Sequence, residues 1–113
     1  MSFRASLRRS GTVVVITLAG VLDAVSAPEF RQQVERAVES TVEHLVLDVS
    51  EVGYLSSGGL RMLAYTRQKL PAGVSIALVG ANETIQRTIR LVGFHYSLEF
   101  SDRLPGGQGD ATV

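Results

Sequence analysis

Two adjacent hydroxyls are the residues best placed to do chemistry in this chain. Ser56 and Ser57 close the run Leu45-Val-Leu-Asp48-Val-Ser50-Glu-Val-Gly53-Tyr54-Leu55-Ser56-Ser57-Gly58-Gly59-Leu60-Arg61. The pattern predicts an apolar strand, a short loop, and a helix that starts at the serines. A hydroxyl there lies at the positive end of the helix dipole, beside N–H groups with no partner inside the helix. It can cap the helix, a contribution of about 1 kcal/mol, or stand exposed and carry a phosphate. Glycines in a first helical turn each cost up to about 1 kcal/mol against alanine. Gly58 and Gly59 therefore point beyond helix stability, and their bare backbone leaves the serine open to close approach by another protein. The same loop could also hold a free anion.

Other chemistry is absent by motif. His44 precedes a strand and His95 follows a helix, neither with an acid or a second histidine at ligand spacing. There is no G-x-x-x-x-G-K-[ST] loop and no G-x-G-x-x-G after a strand. The serines do not form a G-x-S-x-G elbow, and no base stands by to activate them. The carboxylates are scattered, without a pair suited to acid–base work. Cysteine is missing, which removes disulfides, thiolate ligands and a thiol nucleophile. The expectation is a non-enzyme with no metal and no cofactor.

The elements that must position the serines follow from periodicity. Phe3 to Arg8 and Thr12 to Leu18 read as a hairpin turning at Arg9-Ser10-Gly11, after which Gly20-Val21-Leu22-Asp23 leaves the second strand. Ser26-Ala-Pro28-Glu29 predicts a helix start with a serine cap, and Phe30, Val34, Ala37 and Val38 form its buried stripe. Leu45 to Val49 is a central strand. The second helix runs from Ser57 to before Pro71, with Leu60, Leu63, Ala64 and Leu70 inward. Val74 to Val79 is the next strand. Asn82 caps a third helix with Ile85, Ile89 and Val92 inward and Gly93 as its stop. Tyr96 to Phe100 is a last short strand, and Ser101 to Val113 reads as a mobile tail.

Strand–helix alternation after the hairpin predicts an α/β domain with a mostly parallel sheet, an antiparallel first strand and helices packed on it. At 113 residues one domain is expected, with no linker or repeat, and 45% hydrophobic residues suffice for a core. Eleven basic and eleven acidic residues cancel, so no long-range field favours nucleic acid or an anionic membrane. No apolar run reaches the roughly 18 residues of a membrane helix. The first residues lack the apolar core of a signal peptide, so the expected home is the cytoplasm.

Two motifs and a third element make the chain resemble the STAS domain, and within it the bacterial anti-sigma factor antagonists. Leu18-Ala-Gly20-Val-Leu22-Asp23 before a helix is similar to the family's L-x-G-x-L-D. Leu47-Asp48-Val-Ser50 followed by Tyr54-Leu55-Ser56-Ser57-Gly58-Gly59-Leu60 resembles L-D-L-S … D-S-[ST]-G-L, in which the serine after the aspartate accepts phosphate. Asn82 to Gly93 with Phe94 resembles the family's third helix and its end. The resemblance spans about residues 3 to 102. It puts the STAS domain at residues 1–102 and a flexible tail at 103–113, where Pro105 to Gly109 depart from the family's last helix.

The resemblance implies Ser57 as phosphoacceptor, with Ser56 as the alternative, and Asp23 as the acid of the neighbouring loop. Ser56 stands where the family has aspartate, and Gly58 where it has a second hydroxyl. It implies a partner switch: the unmodified chain binds an anti-sigma factor with serine kinase activity and frees a sigma factor. The contact surface would be Asp23, Ser56, Ser57, Gly58, Gly59 and Leu60 with Arg61, Met62 and Tyr65 on the exposed side of the second helix. Phosphate at Ser57 adds about −1.5 to −2 charge, repels the acids of the docked surface and releases the partner, and a PP2C-type phosphatase resets the switch. Two other readings stand beside it. One is a constitutive STAS scaffold module of a transporter-associated or signalling assembly, with the serines only as caps. The other is a phosphate- or nucleotide-binding helix end.

Overall fold

Val13–Leu22 is rich in β-branched residues and buries Val14, Val15 and Ile16 in succession, so side chains on both of its faces are buried, as in a strand inside a sheet. The computed structural model describes residues 3–102, and the tail expected over 103–113 lies outside the described residues. The elements are β1 (Arg4–Ser10), β2 (Val13–Leu22), α1 (Ala27–Ala37), β3 (His44–Leu55), α2 (Ser57–Lys69), β4 (Ser75–Val79), α3 (Glu83–Leu91), a 3-10 turn (Phe94–Ser97) and β5 (Glu99–Ser101). The strands lie in chain order in one sheet, with β1 antiparallel to β2 and every later pairing parallel. The expected α/β architecture is therefore the one observed.

Each crossover from β2 onward advances one strand in the same direction, so crossovers of one hand put all three helices on one face. The core agrees. Val14, Ile16 and Leu18 of β2, Leu45, Leu47 and Val49 of β3, and Ile76 and Leu78 of β4 meet Phe30, Val34 and Ala37 of α1 and Ile85 and Ile89 of α3. The opposite face holds a small cluster of Val15, Val46 and Val79. Arg9 of β1 ties the edge to α1, its guanidinium donating to the carbonyls of Ala37 and Thr41 near that helix's C-terminus.

Three expectations are corrected. First, β3 does not end at Val49 in a loop but continues to Leu55, paired with β2 as far as Leu22↔Leu55. The register shifts twice, between Thr17 and Ala19 and between Gly20 and Val21, because β3 carries an extra residue at each place. Those bulges let Val49, Val52 and Leu55, three residues apart, all face the core. Gly20 absorbs the second irregularity with a φ of 107°.

Second, α2 is rotated from the expected orientation. Its buried residues are Gly58, Gly59, Met62, Leu63 and Thr66, whereas Leu60 and Ala64 are only half-buried. A polar residue is tolerated there because the Thr66 hydroxyl donates to the Met62 carbonyl at 2.8 Å. Third, α3 buries Ile85 and Ile89 but leaves Val92 58% exposed, and the 3-10 turn replaces the start of the expected last strand. Gly93, at φ 76°, ends α3 as expected.

Candidate functional site

The paired ends of β2 and β3 extend past their neighbours, since β4 stops pairing with β3 at Asp48↔Val79. The serines sit at the tip of that extension. The Ser56 N–H donates to the Leu22 carbonyl at 3.0 Å, which fixes the last strand residue against the first residue before α2. Ser56 is extended (φ −90°, ψ 176°), and its hydroxyl accepts the Gly59 N–H at 3.3 Å. It is the N-cap of α2. Ser57 is the first helical residue and is exposed, and its hydroxyl has no hydrogen-bond partner among the described residues. The two hydroxyls are thus unequal: one is used by the fold and half-buried, the other is free.

Ser57 is uncovered as the sequence suggested, but the glycines are not open backbone beside it. Both are buried. A Cβ on Gly58 would lie 2.7 Å from the Ala24 nitrogen, and one on Gly59 would strike the Leu22 carbonyl and come within 2.7 Å of Leu55 Cδ1. The first turn of α2 is pressed against the β2–α1 loop, and only residues without side chains permit that approach.

That loop is organised by Asp23. One carboxylate oxygen accepts the N–H groups of Val25 at 3.0 Å and Ser26 at 2.9 Å. The Ser26 backbone N–H is the main influence holding the Asp23 carboxyl below its ordinary range, helped by the Ser26 hydroxyl and the Val25 N–H and opposed by partial burial. Ser26 itself is not the side-chain cap expected for α1. Its backbone is helical (φ −86°, ψ −14°) and its hydroxyl is engaged elsewhere, donating to Val21 O at 2.7 Å and accepting the Asp23 N–H at 3.0 Å.

The expected contact residues divide accordingly. Asp23, Ser56, Ser57, Gly58 and Gly59 come together, with Leu60 half-buried and Arg61 exposed beside them. Met62 is 6% exposed and belongs to the core, not to the outer side of α2. Tyr65 is half-buried and faces α1: its hydroxyl donates to Glu35 at 3.1 Å, and Arg31 lies 4.8 Å above its ring. Arg31 also donates to Glu35 at 3.1 Å, and this bond, ahead of the tyrosine's, holds the Glu35 carboxyl below its usual value. His44, far from the serines in sequence, bonds Ser75 across β3 and β4 at 2.7 Å.

Sequence reasoning missed the outer neighbours of Ser57. Leu60 and Ala64 of α2 with Val92 and Phe94 form a groove beside Ser57 and Arg61. One signal was present: Leu91 and Val92 are adjacent apolar residues at the end of a helix whose inner stripe has room for only one of them.

Comparison with known proteins agrees with this geometry. Residues 4–105 match the STAS domain family model. The chain is 30% identical over 101 residues to the anti-sigma-F factor antagonist RsfB of Mycobacterium tuberculosis H37Rv, spanning 86% of this chain and 83% of that protein. It superimposes on the crystal structure of an anti-sigma factor antagonist from Mycobacterium paratuberculosis with a TM-score of 0.82 and 29% identity, over 92% of this chain and 89% of the other. It shares the fold of the Bacillus cell fate determinant SpoIIAA in its phosphorylated form, with a TM-score of 0.68 and 17% identity over 90% and 93% of the two chains. No helix among the described residues is long and apolar enough to cross a membrane. With the β2–α1 loop seated on a serine-capped helix start, the chain belongs to the STAS domain family, among its anti-sigma factor antagonists.

Proposed function

We propose that this protein is the phosphorylatable component of a partner switch, with Ser57 as acceptor. The unmodified chain binds an anti-sigma factor that is also a serine kinase, and so frees the sigma factor. In the kinase step the Ser57 hydroxyl oxygen bonds to the γ-phosphorus of ATP and the bridging P–O bond to the β-phosphate breaks. ADP leaves, and the hydroxyl proton passes to a base of the kinase. A PP2C-type phosphatase reverses the state by hydrolysis, returning the serine hydroxyl and inorganic phosphate.

The observation that carries this reading is the inequality of the two hydroxyls. Ser57 is exposed and unengaged at a helix N-terminus, where a dianion is favoured. Ser56 already accepts the Gly59 N–H, so modifying it would remove the cap. The phosphorylated form of Bacillus SpoIIAA supports it at the level of the fold.

The test is incubation of the full chain with the source organism's anti-sigma serine kinase and ATP–Mg²⁺, followed by site mapping by mass spectrometry. Phosphate is expected on Ser57 and absent from a Ser57→Ala variant. Phosphate on Ser56 alone would reverse the assignment. Phosphate on neither serine would leave a constitutive binding module in which Ser56 is only a cap.

A further inference from the structure

All three helices lie on one side of the sheet, and no helix among the described residues lies on the other. Strand alternation assigns that second side. Ala5, Leu7, Leu18, Leu47, Leu78 and Phe100 pack toward the helices, so their neighbours along each strand point away from them. The pairing registers line these neighbours up in rows across the sheet. The central row runs from β1 to β5 as Arg8, Val15, Val46, Ala77 and Glu99. One row nearer the serines come Ser6, Thr17, Asp48, Val79 and Ser101.

The middle of this face is level and built of small side chains. Val15, Val46 and Val79 are buried among their neighbours, and Val13 and Ala77 are half-buried. The two edges carry opposite charge. Arg4 and Arg8 stand exposed on β1, and Glu99 stands exposed on β5. None of the three is in an ion pair among the described residues, where the one salt bridge joins Arg31 and Glu35 on α1. A flat surface with a basic edge and an acidic edge is complementary to its own copy turned through half a circle.

We infer that the open sheet face pairs with a second copy of this chain, about a twofold axis running along β3. That operation lays β1 of one copy over β5 of the other, β2 over β4 and β3 over itself, and it keeps each row at its own height. The central row then meets itself reversed. Arg8 faces the partner's Glu99, Val15 faces the partner's Ala77, and Val46 faces the partner's Val46. Packed sheets lie about 10 Å apart with their strands within about 30°, a gap that an arginine and a glutamate reaching from opposite sides can close. A twofold across the strands would set β1 on β1, arginine against arginine, so the charge layout selects the first axis. The cost lies on the axis, where Asp48 approaches its own copy. Ser50 already engages that carboxylate, its N–H donating at 3.1 Å and its hydroxyl at 2.7 Å.

Five strands about 4.8 Å apart make the face only about 20 Å wide. That is small for an interface, and association in the range of about 10–100 µM is expected. Ser57 begins α2 on the helical side, so both copies keep it exposed and pairing does not depend on the switch.

Sedimentation of the full chain from about 5 to about 500 µM at low salt tests the pairing. Wild type should pass from monomer to dimer across that range, and added salt should weaken the dimer. Arg8→Glu and Glu99→Arg change exposed positions, and unchanged circular dichroism and melting serve as the fold check. Each reversal sets like charge against like at two symmetric places and should weaken pairing by about tenfold. The double variant Arg8→Glu/Glu99→Arg should recover wild-type association. An equal mixture of the two single variants should associate more tightly than either does alone. A wild-type chain that stays monomeric throughout, as occupation of the face by its own residues 103–113 would make it, overturns the inference. A dimer indifferent to both single reversals, or one that the double variant does not restore, overturns it equally.

Discussion

Gly59 and Gly53 are chemically identical and sit six residues apart, yet the structure makes opposite demands on them. A side chain at Gly59 would run into the Leu55 methyl group and into the Leu22 carbonyl, which cannot retreat without moving β2. At Gly53 the same added carbon meets nothing within 4 Å. Gly59→Ala should therefore cost about 1–3 kcal/mol, the usual penalty of overpacking. Gly53→Ala should stay within about 0.5 kcal/mol of wild type. Urea denaturation of the two variants checks this, and equal midpoints would show that the first turn of α2 does not need its contact with the β2–α1 loop. The serines differ in the same way, since a neighbour's N–H has claimed only one hydroxyl.

At the scale of elements, two carboxylates matter, one ordering a loop from within and the other joining two helices. Asp23 orders the loop pressed on α2, and Glu35 joins α1 to Tyr65 of α2. Both titrate below their ordinary values because they accept hydrogen bonds in the native state, from the Ser26 N–H and from Arg31 respectively. The unfolded chain then binds protons more readily than the folded one. Their stabilisation is complete above the unfolded carboxylate range of about 4 and is lost as pH falls through the lowered native values. The urea midpoint should be flat from about pH 7 to 5 and fall below about pH 4, with a shallower fall in Glu35→Gln. An acid limb of unchanged slope in that variant would remove Glu35 from the account.

The elements also show where sequence patterns mislead. Val49, Val52 and Leu55 repeat every three residues, a spacing that matches neither strand nor helix, and the run from Ser50 onward reads as a loop for that reason. Only the bulges opposite β2 turn it into strand. In α2 the leucines drew the inner stripe through Leu60 and Ala64. The actual stripe runs through Gly59, Met62, Leu63, Thr66 and Leu70, because the glycines set the rotation of the helix against the loop.

Across the whole molecule the proposed switch should change association and leave the fold alone. A negative charge at the first residue of α2 complements the helix dipole, worth about 0.3–1 kcal/mol in favour of folding. Ser57→Asp should keep the wild-type circular dichroism spectrum and melt at or slightly above the wild-type temperature while binding the anti-sigma kinase more weakly. If it binds as tightly as wild type, charge at this position is not the release signal.

The sequence by itself determined the order of elements, the antiparallel first strand, the cap at Asn82 and the pair of serines at a helix start. Each of these depends on neighbours within a few positions, through periodicity, capping chemistry or glycine. Tertiary structure decided which serine is free, why both glycines are required, that Met62 is core, and that Leu60 and Ala64 wall a groove with Val92 and Phe94. Those outcomes depend on how β2, β3 and the β2–α1 loop pack against α2, contacts between residues more than thirty positions apart (Ala24 against Gly58, Leu22 against Gly59) that leave no local pattern to read. The serine pair marks the place in the chain, and packing decides that Ser56 holds the helix while Ser57 stands exposed.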